Sequence, residues 1–158
     1  MKILGIDPGT VRAGFGIIIS ENSFLKLASF GVLSENKKTQ GDRLCFIRNS
    51  LISIIKNEKP DRAVVELLFF SKNQKTALLV SEARGVIIQT LTEYKIPVLE
   101  LTPNQIKIAS TGNGSASKNA VKKMLSLFLK TDLSLVLDDS TDAIAAAFAG
   151  LSKNGLEK

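Results

Sequence analysis

Lys2-Ile3-Leu4-Gly5-Ile6-Asp7-Pro8-Gly9-Thr10 is the stretch that decides the fold. The apolar run over residues 2–7 has the length of a buried strand, and it ends on a carboxylate. Pro8-Gly9 then favours a turn, because proline pre-sets φ and glycine accepts the conformations that turns require. A second apolar run, Phe15 to Ile19, follows Gly14 and gives way to polar Ser20-Glu21-Asn22-Ser23. A third covers residues 24–33, through Phe30 and Val32. Three strands joined by short turns make a β-meander.

Downstream the period changes. Gly41-Asp42-Arg43 opens a helical pattern in which Leu44, Ile47, Leu51 and Ile55 recur at spacings of three and four, and Lys59-Pro60 ends it. Ala63-Val64-Val65 reads as a short buried strand that delivers Glu66. A long helix is predicted from Asn73 to about Tyr94, with Ala77, Val80, Ala83, Ile87 and Leu91 on one face, and Pro97-Val98-Leu99-Glu100 as a fifth strand. Thr102-Pro103 caps a short helix through Ile108, and Thr111-Gly112-Asn113-Gly114-Ser115 is a loop. A helix from about Ser117 turns Val121, Met124, Leu125 and Phe128 inward, and an alanine-rich helix runs from near Asp139 through Ala149, with Asp138 as a candidate cap. The order β-β-β-α-β-α-β-α-α-α is a mixed α/β layout. It predicts one domain over residues 1–150 and a polar tail over 151–158.

Bulk chemistry narrows the functions. The chain has 21 Lys and Arg against 15 Asp and Glu, a net charge of +6 that suits a polyanionic partner or simply solubility. It contains no histidine and one cysteine, so Ser-His-Asp and Cys-His centres cannot be built and a zinc site is nearly excluded. Cys45 stands between Leu44 and Phe46 and is expected to be a buried, inert thiol. The apolar run at the N-terminus is too short for a secretory signal, and no stretch approaches the roughly 20 apolar residues that span a bilayer, which points to the cytoplasm. Any chemistry must come from oxygen ligands.

Four carboxylates are candidates. Asp7 stands where an apolar strand runs out, although an Asp before Pro-Gly can also serve the turn alone. Gly5, Gly9, Gly14 and Gly16 leave room nearby for another backbone or a phosphate. Glu66 leaves a second apolar strand, so both acids can share one sheet edge, where open α/β sheets often bind ligands. Asp139 and Asp142 lie three apart and on a helix share a face, though acids in a first turn also serve as caps. Two like charges about 4 Å apart repel by roughly 4 kcal/mol at an effective dielectric of 20. Four together need compensating cations, and Mg²⁺ suits oxygen ligands and phosphodiester hydrolysis.

In these motifs the chain resembles the RuvC family of Holliday-junction resolvases along nearly its whole length. The opening Ile3 to Thr10 with Gly14-Phe15-Gly16 is similar to that family's start. Val65-Glu66 followed by Phe69, Lys72-Asn73 and Ala77 is similar to its second motif, and Ala83-Arg84-Gly85-Val86 to the next. Gly112 to Lys118 with Val121 resembles its basic loop and helix start, and Asp139-Ser140-Thr141-Asp142-Ala143 its terminal acidic motif. The resemblance implies a ribonuclease H-like fold, a mixed five-stranded sheet flanked by helices. It also implies a homodimer that nicks symmetrically opposed strands of a four-way DNA junction, alongside a branch-migration motor complex.

By matching positions, the resemblance makes Asp7, Glu66, Asp139 and Asp142 the catalytic, Mg²⁺-binding set, with Mn²⁺ as a substitute. Lys107 and Lys118 would contact backbone phosphate, and Phe69 would stack on bases near the crossover. Arg84 has a packing or dimer role as an equal alternative. Without the resemblance, Phe69 beside Phe70 reads equally as core, and the lysines as solvated surface charges. Three departures stand out. Ala120 replaces an expected glutamine, the doubled Asp138-Asp139 leaves the ligand ambiguous, and the histidine some relatives carry near the acidic motif is absent.

Rival readings are weaker. The opening motif also resembles the phosphate loop of actin-like ATPases and sugar kinases, but those need two large lobes. YqgF-like proteins that act on RNA share the opening and lack the Gly-Ser-Ala-Ser-Lys loop. A junction binder without activity would be free to lose the acidic set.

Overall fold

The computed structural model describes residues 1–9, 11–22, 24–34, 39–67 and 74–151. Its strands are β1 (Lys2–Asp7), β2 (Arg12–Glu21), β3 (Phe24–Ser34), β4 (Arg62–Glu66) and β5 (Val98–Leu101). Its helices are α1 (Gln40–Glu58), α2 (Gln74–Glu93), α3 (Pro103–Thr111), α4 (Lys118–Leu129) and α5 (Asp138–Ala149). The strands form one five-stranded sheet in the order β3-β2-β1-β4-β5. The first three pair antiparallel, as the meander predicts, while β1–β4 and β4–β5 are parallel. The sheet is therefore mixed and flanked by helices, the ribonuclease H-like arrangement.

Side chains of the central strands alternate between two apolar layers. Leu4, Ile6, Ile17, Ala63 and Val65 pack with the α1 stripe Ile47, Leu51 and Ile55 and the α2 stripe Ala83, Ile87 and Leu91. Ile3, Ile18 and Val64 pack on the opposite face with Ile106 of α3, Val121, Leu125 and Leu129 of α4, and the alanines of α5. Both faces of β1 and β4 are thus covered, which is why these strands read as continuous apolar runs.

Several local expectations need correction. Cys45 is exposed rather than buried. It lies two positions before Ile47, close to the opposite side of α1, so its apolar neighbours in sequence are not its neighbours in space. The helix α1 starts earlier than expected, because Thr39 and Asp42 form a reciprocal capping box. The helix α3 runs on to Thr111 and stops where Gly112 adopts φ 75°, a left-handed cap that suits glycine. In α4 the buried stripe passes through Val121, Leu125 and Leu129, so Phe128 sits at the margin, 45% exposed, with its ring stacked on Phe148 at 5.0 Å. The cap of α5 is Leu137, which has no capping side-chain bond, and Asp138 is the first helical residue. The tail beyond Leu151 lies outside the described residues. Among the described residues no helix is long and apolar enough to cross a membrane.

Candidate active site

Strand register brings the first two acids together. In the parallel pair, Ile6 lies beside Val65, so Asp7 and Glu66 leave adjacent strands at the same edge. Parallel neighbours in register point to the same face. That face is the one covered by α3, α4 and α5, since Ile3 and Val64, an even number of residues before these acids on their strands, belong to that layer. Leu101 ends β5 beside Glu66, and the capping box of Thr102 and Gln105 starts α3 immediately, which brings Lys107 to the same edge.

The second pair is placed by backbone contact. A Cβ on Gly14 would lie 1.9 Å from the Asp139 carbonyl oxygen, and one on Gly5 would lie 2.0 Å from that of Ala143. Gly16 likewise leaves room for Ile144. The space that these glycines keep free is therefore filled by the α5 main chain. Gly14 is also the register partner of Asp7, so the first turn of α5 comes down beside the end of β1. Any side chain at these two positions would lift the helix and its carboxylates away.

Electrostatics records the convergence. Burial pushes the Asp7 carboxyl up to about 8, and the charges of Glu66, Asp142 and Asp139 add to the effect while Lys118 opposes it. Glu66 is raised to about 7 by burial and then by Asp142, with Lys118 and Lys107 acting in the opposite direction. Asp7 thus lies within the influence of all three other candidate acids, and Glu66 within that of Asp142. Asp138 is more exposed and turned to Lys118 and Lys122, at 3.5 and 3.8 Å, whereas Asp139 acts on Asp7. Of the two, Asp139 is the one that acts on Asp7.

The acids are not equally neutralised. Lys118 Nζ donates to Asp142 Oδ2 at 2.8 Å, and Arg12 Nε lies 3.2 Å from Asp139 Oδ2. Among the described residues Asp7 and Glu66 have no ion pair. Nor does any group of three or more acidic side chains close around one point as a finished metal site. The two observations have one cause: repelling carboxylates turn to whatever cations are available, and the α5 pair find Arg12 and Lys118. A half-buried Asp7 and Glu66 without a cation, facing two more carboxylates, fit a hard divalent ion with oxygen ligands.

Lys118 occupies an unfavourable place for a lysine. It opens α4 just after the Ser117 cap, where the helix dipole disfavours positive charge. Its bond to Asp142 offsets this and, as the largest of several causes, raises its pKa. A cavity of about 310 Å³ lies alongside, lined by Glu66, Ile106, Lys107, Lys118, Val121 and Asp142. Lys107 and Lys118 therefore share a wall with two of the acids. Phe69 lies outside the described residues. Arg12 is the site residue that sequence reasoning missed. Its signal was its position two before Gly14, which puts it on the face that meets α5. Arg84 pairs with Glu100, tying α2 to β5.

The sequence profile described as Crossover junction endodeoxyribonuclease RuvC matches residues 3–150. A Brachyspira hyodysenteriae protein of that name is 44% identical over 155 residues, covering 98% of this chain and 96% of its own length. A Petrotoga mobilis protein of the same name is 43% identical, covering 94% and 91%. Among solved structures, Thermus thermophilus RuvC in complex with a Holliday junction substrate superposes with a TM-score of 0.88 at 26% identity, covering 94% of this chain and 92% of that one. With the sheet order, the acidic edge and these full-length matches in agreement, the chain belongs to the RuvC family of crossover junction endodeoxyribonucleases.

Proposed function

We propose that the chain is a structure-selective endonuclease that resolves four-way DNA junctions by paired symmetric nicks, in recombination and repair. The convergence of Asp7, Glu66, Asp139 and Asp142 from three separate elements, beside Lys107 and Lys118, carries this reading. Such an edge serves phosphoryl chemistry and has no use in a passive binding module, where repulsion would only destabilise the fold. Relatives of similar length bear the name Crossover junction endodeoxyribonuclease RuvC, and Thermus thermophilus RuvC was solved in complex with a Holliday junction substrate.

Asp7, Glu66, Asp139 and Asp142 would hold Mg²⁺, with Mn²⁺ as a substitute. Bound there, such ions supply Lewis acidity toward the phosphodiester and a more acidic water at neutral pH. The chain's own side chains do the remaining work. Asp7 and Glu66, ionised when a cation is present, fix the site to the sheet. Asp139 and Asp142 close it from α5. Lys118, bonded to Asp142 and lining the same cavity, would contact backbone phosphate. Lys107 extends the positive wall along the cavity, and both lysines position the strand through its backbone. Phe69, three residues beyond Glu66, supplies an aromatic platform on which an unstacked base near the crossover can rest.

Symmetric nicking requires two copies of the site related by a two-fold axis, so the working unit is a homodimer. A branch-migration motor is the partner that would feed it junctions, and the cytoplasm is where it would meet them. The deciding experiment is cleavage of a mobile and an immobile four-way junction beside linear duplex and an RNA–DNA hybrid, with Mg²⁺. Nicks on opposed strands of the junctions are expected. Preferential cutting of the hybrid or of linear duplex would refute the assignment.

A further inference from the structure

We propose that Arg12 is a positioning residue that holds Asp139 in the metal-free protein and competes with divalent cations for it. This rests on the metal site proposed above and adds to it a resident competitor. The four acids divide into two classes: Asp7 and Glu66 lack a cationic partner among the described residues, while Asp142 has Lys118 and Asp139 has Arg12.

The two bases come from different elements. Lys118 comes from α4, and Arg12 is the first residue of β2. Strand alternation places Arg12 on the same face as Gly14, the residue over which Asp139 is seated. The position is thus set by backbone, and the guanidinium meets the carboxylate with its Nε at 3.2 Å. The Arg12 side chain is 56% exposed, and the Asp139 carboxylate is the one polar group it meets among the described residues. Exposed pairs of this kind add little to stability, so the consequence of this one lies in charge.

A guanidinium keeps its charge at every accessible pH and cannot itself ligate a cation. Every divalent ion that enters must therefore draw Asp139 from Arg12 or bind beside a positive neighbour. Removing that neighbour leaves the carboxylate free. With solvent screening over a few ångströms, the gain in cation affinity is about three- to tenfold.

The test is Mn²⁺ binding by the full chain without DNA, near neutral pH and at low salt, read from the electron paramagnetic resonance of the free ion. Arg12→Gln and Arg12→Met are both expected to bind Mn²⁺ about three- to tenfold more tightly than wild type, and Arg12→Lys, which keeps the charge, within about twofold of it. In an Asp139→Asn background the same Arg12 changes are expected to shift affinity by less than about twofold, because the partner is gone. Unchanged or weaker binding by the two neutral variants, with melting temperatures near wild type, would overturn the proposal. So would an equal gain in the Asp139→Asn background, which would make the effect one of general surface charge. No Mn²⁺ binding by wild type would remove the metal reading itself, and this proposal with it. Binding by wild type with no change in the Arg12 variants removes only the role of Arg12.

Discussion

Replacing Asp7 by asparagine tests the crowding of carboxylates directly, because the exchange deletes one charge and almost no volume. The Asp7 carboxyl is raised from its ordinary value near 3.8 to about 8. The folded protein therefore holds that proton more tightly than the unfolded chain, and ionisation works against folding. Wild-type stability from this group is intact below about pH 4 and is lost progressively as pH rises, with the full penalty present above about pH 8. At about 1.4 kcal/mol per pKa unit the ceiling is about 6 kcal/mol, and solvent screening at the open edge reduces the expected effect to about 2 kcal/mol. In chelator at pH 8, Asp7→Asn should then be more stable than wild type by about that amount, seen as a melting temperature roughly 4–8 °C higher. The difference should close toward pH 4–5. Saturating Mg²⁺ should reverse the order, since wild type gains about 3 kcal/mol at a hundredfold excess over Kd and the variant gains little. A variant that melts below wild type at pH 8 in chelator, or a difference independent of pH, would refute the crowded-carboxylate account.

Further predictions concern the rest of the site. Gly14→Ala puts a methyl group 1.9 Å from the Asp139 carbonyl oxygen; urea melts should show a loss of at least about 2 kcal/mol, together with lost junction cutting. A wild-type melt would mean that α5 is not seated on β2. Lys118→Met should weaken junction binding and reduce the slope of log affinity against log salt by about one phosphate contact, and an unchanged slope would confine Lys118 to pairing with Asp142. Phe69→Ala should slow cutting of fully paired junctions more than of pre-opened ones, and equal slowing would remove the stacking role.

Sheet and helices were legible in the sequence because both layers obey strict periods. Ile3 is buried on one face of the sheet and Leu4 and Ile6 on the other, and Ile47, Leu51 and Ile55 repeat at helical spacing. Convergence of Asp7 and Glu66 was half legible, since a carboxylate at the end of an apolar run marks a strand edge without naming its neighbour. The parallel register that makes them adjacent is a long-range fact, decided by how α1 crosses over. Room beside Gly5 and Gly14 was readable; that a helix fills it at both positions was not. Arg12 escaped notice because a basic residue near a turn is ordinary, and its partner lies 127 positions away. Cys45 misled for the same reason in reverse, as its neighbours along the chain are apolar while the α1 surface around it faces out.

The contact of α5 with Gly5 and Gly14 has a consequence for how the site ages under mutation. Elsewhere in the protein, spacing between layers depends on side-chain volumes, and a changed methyl group is absorbed by a small shift. Here the gap between helix acids and sheet acids is set mainly by main chain against main chain, with the Ala147 methyl group beside Gly5 as the one small side chain near that contact. Drift in the layer beneath the opposite face, among residues such as Ile47, Leu51 and Ile87, leaves the aperture between the carboxylates nearly constant, so that part of the interior can be rewritten while the jaws keep their gauge.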